Sequence, residues 1–334
     1  MMKDLSLTNT HTQPFPDHYM VFCAPWLEPQ VIENGLKQLQ THHAALGIVG
    51  TQNIEWLSHG RAAQIRVNPI DTEFFIKNIR PIFHDLKIDV LIVPAADRRK
   101  KLLIADMDAT IVEGETLDDL AELAGIGEQI SAITHQAMRG EIDFEAALRA
   151  RVALLAGTAT ALLGETYARM KISEGARALV RTMTHHGSTA ILVSGGFTFF
   201  TEKIAEICGF NAHHGNEFAI ENGILTGEVA GHILDKGAKL EFLKSYQTRL
   251  GLRGNELLAV GDGANDLPMI HEAATMGLGI GYHPKPIVAE HTANIVCFSD
   301  LTALLYIQGY TEAELVIPHN SNDSVSPEQK KSNL

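Results

Sequence analysis

The chain has 334 residues, enough for two domains, and its 45% hydrophobic and 20% charged content is that of an ordinary globular protein. Lys and Arg number 27 against 40 Asp and Glu, and the net charge of -13 opposes general affinity for nucleic acid or an anionic membrane. No nucleic-acid or membrane partner is expected, and a small anionic substrate would need cations supplied locally.

Residues 1–17 are polar and lack the apolar centre of a signal peptide, so a flexible start is expected. No later run reaches membrane-spanning length, which places the chain in the cytoplasm. The three cysteines, Cys23, Cys208 and Cys297, are far apart and each lies in an apolar stretch, the pattern of reduced core thiols.

Apolar and amphipathic stretches at 18–23, 28–41, 45–49, 62–67, 71–86 and 89–94 read as β-α-β-β-α-β. That order is a ferredoxin-like α+β module spanning 18–96. The cluster Arg98-Arg99-Lys100-Lys101 reads as a solvated linker. From there strands alternate with helices in the manner of a Rossmann-like, doubly wound α/β fold with a mainly parallel sheet. Its strands are expected at 102–105, 190–193, 257–260, 277–280 and 295–298. The core comprises 97–116 and 171–312.

Residues 117–170 have helical periodicity broken at Gly125, Gly127, Gly140 and Gly157, and form an inserted cap. Asn222-Gly223 supplies a tight turn for a separate hairpin. His185-His186 and His213-His214 read as solvated loop histidines rather than metal ligands. The tail, 318–334, has too little apolar content to pack and is expected to be disordered.

Two carboxylates, Asp106 and Asp108, stand directly after the apolar run Leu102-Leu103-Ile104-Ala105. In open α/β sheets ligands bind just beyond the carboxyl ends of such strands. Ser194-Gly195-Gly196 follows Ile191-Leu192-Val193, Gly261-Asp262-Gly263-Ala264-Asn265-Asp266 follows Leu257-Leu258-Ala259-Val260, and Lys239 lies on the helical segment between. Each motif alone is an ordinary turn, loop or surface cation; the set in this order describes a phosphoryl-transfer site. Asp106, Asp262 and a backbone carbonyl near Asp108 offer hard oxygens suited to Mg²⁺. Lys239 and the Ser194 hydroxyl would hold phosphate oxygens. Phosphate-monoester hydrolysis demands accelerations of up to ~10²¹-fold, beyond the ~10² to 10⁴ of general acid-base help alone. That favours a covalent aspartyl intermediate.

These motifs resemble the haloacid dehalogenase-like phosphatases over about residues 101–300. The cap stretches Glu113-Gly114-Glu115-Thr116, Ala137-Met138-Arg139-Gly140, Asp143-Phe144-Glu145 and Arg149-Ala150-Arg151-Val152 are similar to those of the phosphoserine phosphatase branch. The resemblance implies Asp106 as nucleophile, Asp108 as general acid and base, and Mg²⁺ on Asp106, Asp108 through its carbonyl, and Asp262. It implies phosphate on Ser194, Gly195 and Lys239, with Thr110, Asn265 and Asp266 in support. Glu115 would take the ammonium and Arg151 the carboxylate of a small zwitterion, while Met138 and Phe144 supply apolar surface.

The expected reaction is hydrolysis of O-phospho-L-serine to L-serine and phosphate, the final step of serine biosynthesis. The family has Ser where this chain has Ala109. The N-terminal module resembles ACT-like extensions, which implies an amino-acid ligand or a homodimer. Two alternatives stay open at this stage: transfer of the phosphoryl group to another alcohol such as homoserine, and a non-catalytic amino-acid sensor.

Overall fold

The computed structural model describes residues 17–42, 54–138, 141–235 and 237–317. The first unit contains β1 (His18–Cys23), α1 (Pro29–His42), β2 (Glu55–Ser58), β3 (Ala62–Val67), α2 (Thr72–Phe74), α3 (Arg80–Asp85) and β4 (Asp89–Pro94), with a π-helical turn over Phe75–Ile79 joining α2 to α3. Among the described residues its four strands pair antiparallel in the order β2-β3-β1-β4, the ferredoxin-like arrangement. Alternate residues of β1 divide between two cores: Met20 and Phe22 pack with Leu36, Ile79 and Phe83 of the helices, whereas Val21 and Cys23 face the rest of the chain.

β1, β3 and β4 occupy their predicted residues, but the strand expected at 45–49 lies outside the described residues. The partner of β3 is instead Glu55–Ser58, four residues with no strict alternation and a register shift between Trp56 and Ser58, which is why periodicity misses it. Residues 1–16 and the tail from 318 also lie outside the described residues.

Arg99 and Lys101 of the basic cluster are exposed as a solvated linker requires, but Arg98 and Lys100 are not. Arg98 donates to the carbonyls of Tyr306 (3.3 Å) and Ile307 (3.0 Å) and to Gln64 Oε1 (2.8 Å), and its guanidinium lies 4.4 Å from the Tyr19 ring centre. Lys100 is buried and donates to the carbonyls of Asp97 and Asn255. These cations are donors to the carbonyls of Ile307, Asp97 and Asn255, the first at the end of a helix, whereas Tyr306 O also accepts from the Gly309 amide. On the other side Asp89 accepts from the amides of Cys297, Phe298 and Ser299. Arg98→Ala is therefore expected to cost about 2–4 kcal/mol of stability by removing the Arg98 donors from Ile307 O and Gln64 Oε1. Denaturant melts check it; an unchanged midpoint contradicts the role.

The second unit has, among the described residues, seven strands in the order β11-β10-β9-β5-β6-β7-β8. They are β5 (Leu102–Ala105), β6 (Thr189–Phe197), β7 (Ala212–Glu221), β8 (Ile224–Ala230), β9 (Leu257–Gly261), β10 (Leu278–Tyr282) and β11 (Ile295–Val296). All pairs are parallel except β7 with β8. β5 is buried throughout because both faces are covered, and its continuous apolar run follows from that.

α4 (Thr116–Ala124), α5 (Gly127–Met138), α6 (Phe144–Ala153) and α7 (Ala161–Arg169) stand between β5 and β6, ahead of α8 (Ala176–His185). The segments entering and leaving them are tied by the Val112–Ile172 bridge. α9 (Thr198–Cys208), α10 (Ala238–Leu250), α11 (Leu267–Ala274), α12 (Pro286–His291) and α13 (Ala303–Ile307) complete the unit.

The hairpin is not separate from this architecture. β7 pairs with β6, and the α6–α7 connection bonds to the β8 side through Gly157 N to Leu225 O and Leu225 N to Thr158 O. Asn222 and Gly223 have φ of 50° and 77°, as a tight turn requires. His213 and His214 are half-buried strand residues, bonded to Thr201 Oγ1 (2.9 Å) and Tyr246 Oη (3.0 Å) rather than solvated. Among the described residues no helix is long and apolar enough to cross a membrane.

Candidate active site

Sheet register brings the motifs together. Ala105 is paired with Val260 on one side and Leu192 on the other, so the residues that follow all leave the sheet at one carboxyl edge. The chain crosses from β6 on one side of β5 to β9 on the other, making this edge the topological switch point where α/β sheets bind ligands. Asp106 N donates to Val260 O at 3.0 Å, locking the first acid beside the Gly261–Asp262 loop.

Asp106 is 5% exposed and Lys239, in the first turn of α10, is 3% exposed. Lys239 Nζ lies 2.7 Å from Asp106 Oδ1 and 2.5 Å from Asp266 Oδ1. A buried ammonium survives only when paired, and these carboxylates raise its pKa although burial alone would lower it. The carboxyl of Asp106 is pushed well above the ordinary range, chiefly by burial and then by Asp266, with Lys239 opposing. Asp266 also accepts from the amides of Asp262 (3.1 Å) and Gly263 (2.9 Å), which shapes the loop. A methyl group on Gly261 would overlap the Asp266 carboxylate, so glycine is needed there.

Asp106, Asp262 and Asp266 each offer an oxygen within 4.8 Å of the others, a hard-donor set fitting a divalent cation such as Mg²⁺. The Asp108 carboxylate is held elsewhere: Oδ1 accepts from the Thr116 amide (2.9 Å) and hydroxyl, and Oδ2 from Ser194 Oγ (3.1 Å). Burial raises its pKa and these bonds oppose the rise. Asp108 comes this close to Ser194 because Gly196 has no side chain; a methyl there would stand 3.1 Å from Asp108 Oδ2. Ala109 takes the left-handed conformation (φ 51°, ψ 10°) with its amide on Gly114 O, a turn that a non-glycine residue adopts at a cost of about 1–2 kcal/mol.

A cavity of about 330 Å³ is lined by Asp106, Asp108, Ser194, Gly195, Asp262 and Asn265 from the core, by Glu115 at the N-cap of α4 where the insertion begins, and by Phe144 and Arg151 of α6. Phe144 closes on the Ser-Gly-Gly loop: a methyl on Gly195 would stand 3.2 Å from its ring. Burial lowers the Arg151 pKa against the pull of Asp118, Glu115 and Asp108, and its Nε has no hydrogen-bond partner. Thr110 is fully buried and its hydroxyl is also unpartnered. The Met138 side chain lies outside the described residues. A larger cavity of about 760 Å³, bordered by Arg61, Lys171 and Asp300, contains none of the candidate site residues.

Three contributors escape the motif reading. Thr116 anchors Asp108. Asn216, 1% exposed, donates to Gly195 O and accepts from Leu234 N, bracing the Ser-Gly-Gly loop. Lys285 Nζ lies 3.0 Å from Glu115 Oε1 and 3.1 Å from Asp262 Oδ2. The available signal for Lys285 was a lysine flanked by prolines just beyond the apolar strand β10.

A parallel sheet with a switch point occupied by paired acids, a buried lysine and a helical insertion defines a haloacid dehalogenase-like hydrolase, and the family model of that description matches residues 103–271. The chain is 39% identical to the phosphoserine phosphatase of Archaeoglobus fulgidus over 68% of its own length and 66% of the relative's. It thus spans just under two thirds of that relative. It is also 39% identical to the phosphoserine phosphatase of Streptococcus thermophilus, over 62% of this chain and 95% of that protein. The crystal structure of a probable phosphoserine phosphatase from Vibrio cholerae superposes with a TM-score of 0.71 at 26% identity, covering 89% of this chain and 88% of that one. The chain belongs to the haloacid dehalogenase-like hydrolase family, in its phosphoserine phosphatase branch.

Proposed function

We propose that the chain hydrolyses O-phospho-L-serine to L-serine and inorganic phosphate, acting in the cytoplasm as the last step of serine biosynthesis. The observation carrying this reading is the Asp106–Lys239–Asp266 ion-pair cluster beneath a small cavity to which the insertion contributes one carboxylate and one guanidinium.

In this reading Asp106 attacks phosphorus and carries the phosphoryl group as an aspartyl-phosphate, splitting one difficult displacement into two. Asp108, whose burial favours the protonated form, gives its proton to the departing serine oxygen and then takes one from water. Lys239, Ser194 and Gly195 hold the phosphoryl oxygens, and Asp266 positions Lys239. Asp106 and Asp262, with the Asp108 carbonyl, would hold Mg²⁺, which when bound neutralises carboxylates that otherwise repel phosphate. Glu115 pairs with the substrate ammonium and Arg151 with its carboxylate. Phe144 excludes water, with Asn265 at the substrate and Thr110 in support.

The N-terminal unit is read as an ACT-like module with an amino-acid ligand and a role in homodimer formation, which mass measurement with and without L-serine tests. For the reaction itself, full-length protein is expected to release phosphate from O-phospho-L-serine, to stop when a chelator is added, and to resume with Mg²⁺. Added homoserine is expected to leave free phosphate equal to substrate consumed. Chelator-insensitive release refutes the metal assignment, and phosphohomoserine formation refutes hydrolysis as the reaction.

A further inference from the structure

Lys285 sits at the N-cap of α12, with its backbone amide on Asp262 O at 2.9 Å and its side chain half exposed. Its ammonium bridges two carboxylates from different parts of the molecule: Asp262 from the β9 loop of the core, and Glu115 from the N-cap of α4, where the insertion begins. Four carboxylates line the cavity, those of Asp106, Asp108, Glu115 and Asp262, together with two cations, Lys285 and Arg151. Lys239 and Asp266 pair with each other beside it.

Lys239 is committed to Asp106 and Asp266 at 4% side-chain exposure, whereas Lys285 is 54% exposed and can swing into water. The two lysines therefore differ in kind: one is fixed in the floor and the other is displaceable.

We propose that Lys285 is a resident counter-ion whose ammonium competes with a divalent cation for Asp262 and with the substrate ammonium for Glu115, so that the two ligands bind cooperatively. The cause is linkage. Each ligand must displace the same lysine, and once one has done so the other no longer bears that cost. Simple Coulomb repulsion between a metal ion and an ammonium has the opposite sign, and would make each weaken the other. Lys285 is thus a positioning residue that holds Glu115 and Asp262 and couples their ligands. The proposal rests on the reading of Asp262 as a metal ligand and Glu115 as the ammonium partner.

The test is calorimetric titration of the full-length chain with Mn²⁺, with and without saturating L-serine, which carries the ammonium but no phosphate. L-Serine is expected to tighten Mn²⁺ binding to the wild type by about three- to ten-fold, the coupling range typical of linked sites. In Lys285→Met, Mn²⁺ alone is expected to bind tighter by a similar factor, and L-serine to give no tightening. Lys285→Arg is expected to retain wild-type coupling, and Lys285→Gln serves if the Met variant melts abnormally. A Lys285→Met protein with wild-type Mn²⁺ affinity, or with L-serine still tightening Mn²⁺, overturns the proposal while leaving the catalytic reading intact. A wild type that binds neither Mn²⁺ nor L-serine overturns both.

Discussion

Asp106→Asn is expected to lower phosphate release from O-phospho-L-serine by at least about 10⁴-fold, the scale seen when an enzyme loses its nucleophile, while raising the melting temperature of the metal-free protein. The two effects have one origin. The Asp106 carboxylate is buried, crowded by Asp266 and Asp262, and shares a single buried lysine with Asp266, so its pKa is raised in the folded state. An acid whose folded pKa lies above its unfolded value binds extra protons on folding. Its stabilising contribution is therefore present at low pH and is lost as pH rises through the unfolded and then the folded pKa. At neutral pH, above its unfolded pKa, Asp106 is thus a burden on the metal-free fold, and the neutral amide removes it while leaving Lys239 paired with Asp266 at 2.5 Å. Melts in chelator at pH 5 and pH 7 are expected to show a wild type that loses stability with rising pH more than the variant does. Wild-type turnover by the variant would remove Asp106 from the chemistry; a variant less stable at pH 7 would contradict the electrostatic account. Such an exchange of stability for activity is common where charges are gathered for catalysis.

Short-range features of this site were legible in the sequence, and long-range partnerships were not. Four apolar residues followed by Asp106 and Asp108 report a buried central strand opening into a loop, because both faces of β5 must be apolar and the chain turns where it ceases to be. The same logic places Ser194 after β6 and Asp262 after β9. Pattern alone could not give the register that sets Ala105 against both Val260 and Leu192, which converts three separate loops into one cluster.

Lys285 illustrates the limit. Its partner Glu115 is 170 residues away, and nothing local distinguishes it from an ordinary exposed lysine. The same reason hides the role of Arg98: four successive cations resemble a solvated stretch, yet the carbonyls to which Arg98 donates lie 208 and 209 residues further on. The local pattern around His213 and His214 resembles a loop because β7 begins only at Ala212 and its strand identity depends on pairing with β6. Asp266, by contrast, was legible as part of the Gly-Asp-Gly motif. Its double duty, holding Lys239 with one oxygen and two loop amides with the other, emerges only in three dimensions.

Arg151→Ala is expected to raise the KM for O-phospho-L-serine by about 10²- to 10³-fold, the scale of about 3–4 kcal/mol that accompanies loss of a desolvated, hydrogen-bonded charge pair. O-Phosphoethanolamine, which differs only in lacking the carboxylate, is expected to lose less than a few-fold. The reason lies in how α6 presents this side chain. Phe144 and Arg151 are seven residues apart, close to two helical turns, so they share one face of α6 and both line the cavity. Burial lowers the Arg151 pKa and Nε has no hydrogen-bond partner, a state that an arriving carboxylate relieves by accepting from the planar fork. Lysine cannot reproduce that two-point contact, so Arg151→Lys is expected to recover little of the affinity even though it keeps the charge. The kcat is expected to change much less than KM, because the carboxylate is remote from phosphorus and its contact persists through the reaction. Equal losses for the two substrates would instead mean that Arg151 acts on the phosphoryl group or on the fold of the insertion, and the substrate assignment would then lose its main support from α6.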